Sequence, residues 1–222
     1  MDGVFLFNKP VLWTSHDAVD FVRRVSGQRS VGHAGTLDPM ATGLLVLLLG
    51  KATKLSASLS GLDKDYRGSI TLGLATDSLD LEGRVVSTGD CSSVNAEAVE
   101  RVIRDIAGMT HQAPPAYSAV HKEGKRLYEW ARKGGPVTVE ARPIQISELK
   151  LEAFHTPEVH FFIRCSKGTY VRCIAEELGT RLGCGAVLSS LVRTRVGGFT
   201  LDRAIGEAAT TRAEIQKRLF FP

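Results

Sequence analysis

The sequence contains few cysteines, and their spacing does not suit a metal. Among 222 residues there are four, Cys91, Cys165, Cys173 and Cys184, and no two form a CxxC pair. Because no His-x3-His accompanies them, the sequence predicts no zinc site. The chain begins MDGVFLF, without the basic segment and apolar stretch of a secretory signal, so we expect a cytoplasmic protein with reduced thiols.

The sequence also lacks long apolar runs, internal repeats and low-complexity tracts. Its longest apolar run, LLVLLL at 44–49, is far too short to span a bilayer and is typical of a fully buried strand. No glycine-rich phosphate loop, acidic metal cluster or Ser-His-Asp arrangement is evident. These absences argue against a membrane protein and a small-molecule hydrolase.

Charge is nearly balanced over the whole chain but unevenly distributed along it. The formal net charge is +4, from 28 basic and 24 acidic residues. Segments 122–142 and 164–195 each carry six Lys or Arg, against three and two acidic residues. Such local surpluses indicate a polyanionic partner, with ordinary solvated surface charge as the alternative.

Hydrophobic periodicity predicts helices and strands in irregular order, with hairpins rather than successive βαβ units. Helices are expected at 14–27 (capped by Thr14 or Ser15), at 95–108, at 169–183 (capped near Ser166 or Thr169), at 126–134 and at 210–220. Two antiparallel strands are expected around the Thr156–Pro157 turn. The pattern favours a mixed α+β fold, with a mostly antiparallel sheet and flanking helices.

One stretch, GHAGTLDPMATG at 32–43, stands out beside the apolar run. Asp38 precedes Pro39, which biases its backbone toward extended geometry, and Gly35 and Gly43 permit tight turning around it. A carboxylate on such a rigid loop suits catalysis, with His33 close by in sequence. The alternative is an Asx-turn aspartate beside a hydrogen-bonded core histidine.

The stretch resembles the signature of the TruB family of tRNA pseudouridine synthases. Further similarities follow in the family's order: FNKP, KDYRGSITLGLATDSLDLEGRV, QAPPAYSAVHKEGKRLYEWARKG, CSKGTYVRCIAEELG and, loosely, LSSLVRTRVGGF. In the last, Arg193 is kept, but Val192 stands where the family usually has its first arginine. The resemblance implies that 1–222 is a pseudouridine synthase catalytic domain. Because the chain ends at Pro222, we expect the RNA-binding PUA-type domain of bacterial members to be absent or vestigial.

The resemblance implies an activity and three catalytic residues. The family converts uridine 55 in the T-loop of tRNA to pseudouridine without a cofactor, and Asp38 matches its nucleophile. Desolvation raises the pKa of a buried carboxylate and a nearby cation lowers it, so Arg172 would keep Asp38 ionised through its planar fork. Tyr66 would stack on the uracil or relay a proton. Attack at C1′, addition at C6 and elimination all remain open.

Four further residues correspond to substrate-binding positions of the family: His33, Lys9, Tyr170 and Leu191. His33 would contact RNA or order the turn, and Lys9 would support the catalytic loop or a phosphate. For Tyr170 and Leu191 a core role is the alternative, as it is for Tyr66. An ordinary surface arginine is the alternative for Arg172.

The expected partner is the T-arm of tRNA, with no membrane, metal or obligatory protein partner. The target base must be extruded from its stack, and the basic segments would supply phosphate contacts, with Tyr128 and Trp130 as stacking surfaces. A catalytically idle RNA-binding or tRNA-folding module of the same fold is the alternative function. Asp38, Tyr66 and Arg172 are all present, which favours the enzyme over the idle module. The related guide-RNA-dependent synthase of archaea and eukaryotes also carries the accessory domain and binds partner proteins, so the expected lack of that domain argues against it.

Overall fold

The computed structural model describes residues 1–115, 117, 121–122, 125–126 and 139–221, with only the backbone at 121–122 and 125–126. Two compact units divide the chain. Unit 1 is Met1–Arg67 with Ser190–Pro222, and unit 2 is Gly68–Ser189. Most of the helix predicted at 126–134, with Tyr128 and Trp130, lies outside the described residues. That 1–222 forms one catalytic domain stays a prediction.

The described residues form five α-helices and fourteen strands, numbered here in chain order. The helices are α1 Ser15–Ser26, α2 Ser56–Ser60, α3 Ala96–Ala107, α4 Val171–Leu182 and α5 Arg212–Arg218. The strands are β1 Gly3–Lys9, β2 Val31–His33, β3 Thr42–Leu49, β4 Lys64–Leu72, β5 Leu74–Thr76, β6 Val85–Thr88, β7 His111–Gln112, β8 His121–Lys122, β9 Lys125–Arg126, β10 Arg142–Pro143, β11 Ile146–His155, β12 Glu158–Cys165, β13 Ala186–Val196 and β14 Phe199–Thr200. Three short 3-10 helices cover Gly50–Leu55, Leu201–Arg203 and Glu207–Ala209.

Eight strands form one mixed, mostly antiparallel sheet. Its order is β1-β3-β13-β4-β12-β11, with β2 beside β3 and β14 beside β13. The pairs β1–β3, β2–β3, β11–β12 and β13–β14 are antiparallel, whereas β3–β13 is parallel. With the flanking helices, this confirms the predicted α+β fold class.

Unit 1 is built on the apolar run of β3. Residues Leu44–Leu49 are fully buried, as the uninterrupted apolar pattern predicts, and β1 pairs with β3 from Gly3↔Leu49 to Lys9↔Gly43. Helix α1 is capped by Thr14, which forms a reciprocal capping box with Asp17. It ends at Gly27 in the left-handed conformation, so the predicted cap and end of this helix are confirmed.

Unit 2 contains the β11–β12 hairpin; α3 packs on β11, and α4 packs on α3. Asn95 caps α3 through the backbone N–H of Ala98, as predicted. The predicted cap of α4 is wrong. This helix begins at Val171 with Tyr170 as its N-cap and no side-chain cap bond. The N–H of the N-cap residue donates instead to the Gln112 amide oxygen at 2.7 Å, a contact across 58 residues of sequence.

Candidate active site

The Asp38 turn, residues 34–41, connects β2 to β3 in unit 1. It begins where the Ala34 N–H donates to the Val46 carbonyl at 2.9 Å. It ends where the Ala41 N–H donates to the Asp38 carbonyl at 3.1 Å. Asp38 itself is half-buried, whereas Leu37 before it is buried in the core. The turn therefore packs Leu37 into the core and leaves the next residue, Asp38, only half-buried.

A fully buried arginine, Arg193, holds the first half of this turn. Its Nη2 and Nη1 donate to the carbonyls of Gly35 at 3.0 Å and Thr36 at 3.2 Å. Its Nε donates to the Leu44 carbonyl on β3 at 2.8 Å. Because these acceptors belong to both the turn and the strand after it, one guanidinium fixes the turn against the sheet.

Lys9 and Ser15 hold the second half of the turn. Lys9, also fully buried, donates through Nζ to the Pro39 carbonyl at 3.3 Å. The Leu37 N–H donates to the Ser15 hydroxyl at 2.8 Å, and that hydroxyl donates to the Leu37 carbonyl at 3.2 Å. Asp38 thus lies between two anchored neighbours, Leu37 and Pro39. Of the two roles predicted for Lys9, these contacts fit support of the loop, and its contact with RNA stays a prediction.

Glycine is required where β3 approaches β13. Gly43 has a φ of 96°, and a Cβ there would collide with the backbone of Arg193. The absence of a side chain lets the strand pass close to the arginine that anchors the turn. Gly35, with a φ of 93°, likewise adopts a conformation that L side chains rarely take. Gly35 and Gly43 therefore permit the tight turning and the close backbone approach that the sequence predicts on either side of Asp38.

His33 is the last residue of β2 and is half-buried. Burial lowers the pKa of its imidazole below the ordinary 6.5, and the charges of Arg193 and then His16 lower it further. Its Nδ1 is enclosed and has no hydrogen-bond partner among the described residues. The lowered pKa of His33 favours its neutral imidazole. A buried ring nitrogen without a partner does not match the hydrogen-bonded core histidine of the alternative interpretation.

Tyr66 and Leu191 lie on the strands of unit 1 that continue into unit 2. Tyr66 on β4 is 8% exposed and Leu191 on β13 is 6% exposed. Asp65, the buried residue before Tyr66, accepts two hydrogen bonds from Arg195 through its carboxylate, from Nε at 2.8 Å and from Nη2 at 2.7 Å. This bidentate pair fixes β4 next to Tyr66.

Arg172, the predicted partner of Asp38, lies in unit 2 within the first turn of α4. It is 5% exposed, so the surface-arginine alternative is wrong. Its Nη1 donates to the Ser78 carbonyl at 2.9 Å and lies 3.8 Å from an Asp80 carboxylate oxygen. Its Nη2 donates to the Tyr117 carbonyl at 2.9 Å.

Asp80 is buried with the arginine that it faces. Its second carboxylate oxygen accepts the Ser78 hydroxyl and, at 3.1 Å, the Glu82 N–H. The Asp80 carbonyl accepts the Thr76 hydroxyl at 2.6 Å. The acidic loop after β5 is therefore folded around one carboxylate that orients the Arg172 guanidinium.

Five of the predicted residues belong to one unit and two to the other. Unit 1 carries Lys9, His33, Asp38, Tyr66 and Leu191, and unit 2 carries Tyr170 and Arg172. The predicted pairing of Asp38 with Arg172 stays a prediction, as does the role of each residue in catalysis or binding. Tyr170 exchanges two hydrogen bonds with the Gln112 side chain through its backbone, which fixes the start of α4.

Two residues next to the predicted site were not assigned a role from the sequence, Arg193 and Asp80. Arg193 shares the parity of the buried Leu191 along β13, so its charge falls on an inward-facing position of the strand. That parity is a usable signal, although it does not say what the guanidinium binds. Asp80 is one of three acidic residues in 77–82, and nothing in their spacing singles it out.

Replacing Arg193 by methionine tests its hold on the Asp38 turn. The change leaves the carbonyls of Gly35, Thr36 and the buried Leu44 without their donor, so we expect the free energy of unfolding to fall by about 2–4 kcal/mol. Urea denaturation measures this value. Arg29→Met, at an exposed arginine, is the control and should change it by less than about 0.5 kcal/mol.

The same variant should also change the titration of His33, followed by NMR of the imidazole protons. Removing the nearby positive charge should raise the His33 pKa above its wild-type value, although burial keeps it below 6.5. In wild type, the stability that neutral His33 contributes is present above pH 6.5 and is lost as the pH falls through the folded pKa. An unchanged His33 pKa in Arg193→Met would show that the two side chains do not interact.

The described part of the chain carries neither a metal-ion cluster nor a membrane-spanning helix. No group of three or more His, Cys, Asp or Glu side chains there is placed to hold a metal ion. None of the helices described combines the length and apolarity needed to cross a membrane.

Comparison with known proteins identifies the family that the chain resembles. The model of the TruB family pseudouridylate synthases (N terminal domain) matches residues 23–171. The tRNA pseudouridine synthase B of Opitutus terrae is 47% identical over 222 residues, which cover 99% of this chain and 92% of that relative. The enzyme of the same name from Geotalea uraniireducens is 45% identical over 205 residues, 92% of this chain and 66% of that relative.

Solved structures show the same fold. The crystal structure of a Cbf5-Nop10-Gar1 complex matches with a TM-score of 0.73 and 28% identity. The match covers 93% of this chain and 52% of that one, so the chain spans about half of the solved protein. The family match takes in the Asp38 turn, Tyr66 on β4 and Tyr170 before α4, and the Opitutus relative aligns over nearly the whole chain. The chain therefore belongs to the TruB family of pseudouridylate synthases.

Proposed function

We propose that the chain isomerises uridine to pseudouridine in tRNA, and that its target is position 55 in the T-loop. Family membership supports the reaction, and the relatives named tRNA pseudouridine synthase B support tRNA as the substrate. The single observation that carries the proposal is the Asp38 turn. It holds the half-buried Asp38 between Leu37 and Pro39, which Ser15 and Lys9 anchor, and Arg193 anchors the residues just before them.

The reaction needs no net addition or removal of atoms. The bond between ribose C1′ and uracil N1 breaks, the uracil rotates, and a bond forms between C1′ and C5. The proton on C5 leaves, and N1 gains one. A positioned carboxylate serves this sequence either as a nucleophile at C1′ or C6, or as a base in elimination, and Asp38 takes that role in our proposal.

The rate of such a reaction depends on the position of the carboxylate as well as on its charge. A displacement of about 1 Å in a reacting group can cost roughly 100-fold in rate. Arg193 and Lys9 donate to carbonyls one to three residues away from Asp38, and both side chains are fully buried. They act as positioning residues, because they touch the backbone of the turn and are enclosed away from solvent.

Arg172 is proposed to face the Asp38 carboxylate and keep it ionised, as the family resemblance implies. The contacts that support this role are those of Arg172 with Asp80, Ser78 and Tyr117, which pre-orient its planar fork. Tyr66 is proposed to stack on the extruded uracil, and Leu191 to line the apolar side of the base pocket. Both are nearly buried, which suits a ring and an aliphatic group against a base.

RNA binding is proposed to pay the cost of extruding the base. Unstacking a nucleotide costs a few kcal/mol, which phosphate contacts can offset. The basic residues of 164–195 include the partly exposed Arg164, Arg181 and Arg195, whose carboxylate partners leave part of each side chain in solvent. Lys167 is exposed as well.

The proposed function is tested by incubating the purified protein with an unmodified tRNA transcript and mapping pseudouridine by base-specific chemical sequencing. We expect modification at uridine 55 alone. A matched transcript with cytidine at 55 is the control and should remain unmodified. Binding of the transcript without any pseudouridine would instead favour the idle RNA-binding module, and modification only at another uridine would overturn the assigned position.

A further inference from the structure

Two aliphatic side chains are exposed in the connection between β1 and α1. Val11 is 53% exposed and Leu12 is 74% exposed, although both lie within a turn that follows β1, a strand buried at every residue except Asn8. Single exposed aliphatic residues are common on proteins. This pair is distinguished by its backbone conformation and by what it adjoins.

Leu12 adopts an unusual backbone conformation for its residue type. Its φ is 70°, in the left-handed region that glycine and asparagine enter readily and a leucine rarely does. Only two described non-glycine residues have positive φ, Leu12 and Leu79. A leucine at such a position stabilises nothing by burial, because its side chain is mostly in solvent. Strained residues that persist without a packing reason occur preferentially at functional sites.

The Leu12 turn is joined to the Asp38 turn. The Leu12 N–H donates to the carbonyl of Pro39, the residue after Asp38, at 2.9 Å. Lys9 Nζ bonds the carbonyls of Pro10 at 2.9 Å, Trp13 and Pro39, and so ties the two turns through one buried ammonium. The backbone of Leu12 therefore lies beside Pro39, the residue that follows Asp38.

The Leu12 turn is also rigid on its other side. The Trp13 ring packs on Phe7 of β1 at 6.2 Å and on Phe21 of α1 at 5.4 Å between centroids. The Thr14 capping box then begins α1 directly after Trp13. Leu12 thus projects from a turn whose neighbours are fixed, which suits a surface that must hold its shape against a ligand.

We propose that Leu12, together with Val11, packs against a nucleobase that adjoins the target uridine in the RNA. The inference rests on the proposed function. When a base leaves its stack, the faces of its neighbours become exposed to water, and proteins that unstack nucleic acid commonly cover such faces with an aliphatic wedge. Leu12 is aliphatic, exposed, rigidly presented and hydrogen-bonded to the residue next to Asp38. It contributes to holding the target nucleotide in its extruded state.

The test uses two substitutions that suit the left-handed backbone, Leu12→Gly and Leu12→Asn. Glycine removes the side chain and the strain, and asparagine keeps its size but not its apolarity. Phe221→Asn is the matched control. Phe221 is 58% exposed in the same unit, and its neighbour Phe220 pairs with Val4 at the start of β1, whereas Leu12 follows the end of that strand.

We expect both Leu12 variants to unfold at the wild-type temperature or above it, yet to lose about 5- to 30-fold in kcat/KM on the tRNA transcript. A transcript with 2-aminopurine beside the target should also brighten less with these variants than with wild type, because the neighbouring base is less fully unstacked. The Phe221 control should match wild type in both readouts.

Three results would overturn the inference. Leu12 variants with wild-type kcat/KM and fluorescence would show that the side chain does not contact RNA and would leave a protein partner for this surface. Variants that lose stability in proportion to activity would assign Leu12 a structural role. If the wild-type protein forms no pseudouridine, the proposed function fails, and the inference fails with it. If the wild-type protein is active and the Leu12 variants match it, only the inference is rejected.

Discussion

Asp38→Asn is expected to abolish isomerisation while leaving tRNA binding within about threefold of wild type. Asparagine has nearly the same shape as aspartate but carries no charge and is a poor nucleophile and base. The Leu37 and Pro39 anchors are backbone contacts and remain in place, so the turn should keep its geometry. Loss of a catalytic nucleophile typically costs about 10⁴-fold or more in rate.

The measurement is single-turnover pseudouridine formation with the enzyme in excess over a tRNA transcript, with binding measured separately by filter retention. Asp63→Asn is a suitable control, because Asp63 is an exposed aspartate of the same unit and its turn precedes β4. Turnover by Asp38→Asn within tenfold of wild type would remove Asp38 from the chemistry. Loss of binding in parallel with activity would instead show that Asp38 serves to hold the RNA.

Arg172→Met is expected to damage both stability and catalysis, and the two effects can be separated. The guanidinium and the Asp80 carboxylate are both 6% exposed and lie 3.8 Å apart. Removing the cation leaves a buried carboxylate without its charged partner, which typically destabilises a protein by about 3–5 kcal/mol. If Arg172 faces Asp38 as proposed, a loss of about 100-fold or more in single-turnover rate is expected beyond that, because the variant would lack the cation that keeps the carboxylate ionised.

The double variant Arg172→Met with Asp80→Asn separates the two effects. It removes both charges, so more than half of the lost free energy of unfolding should return, measured by urea denaturation. The rate should not return with it. Recovery of the rate together with stability would make Arg172 a structural residue, and Arg172→Lys with a near-wild-type rate would show that its planar fork is not needed.

The sequence is sufficient for those parts of the fold that depend on local patterns. The run at 44–49 forms a buried strand because no polar residue interrupts it, and α1 begins at the Thr14 cap and ends at Gly27. The start of α4 is different, because the cap predicted at Ser166 or Thr169 is replaced by a contact with Gln112, which is 58 residues away. Contacts over such separations leave no periodic signal in a single sequence.

In the candidate site, too, features set by local sequence can be predicted and features set by distant contacts cannot. Asp38 is recognisable from its turn, because glycine and proline constrain the local backbone. Arg193 is invisible as an anchor because its acceptors are carbonyls of Gly35, Thr36 and Leu44, about 150 residues earlier, and any residue supplies a carbonyl. The positive φ of Leu12 is equally hidden, because a leucine rarely adopts this conformation and its N–H bonds Pro39, a residue 27 positions away.

The central claim is that Asp38 meets an extruded uridine beside Arg172. A crystal structure of Asp38→Asn bound to a T-arm RNA would test it most directly. We expect the target nucleotide to lie outside its stack, with its C1′ or C6 about 3–3.5 Å from the residue-38 side chain and the Arg172 guanidinium within hydrogen-bond distance of that side chain. A target uridine still stacked in the loop, or residue 38 and Arg172 on surfaces that no RNA atom joins, would contradict the account.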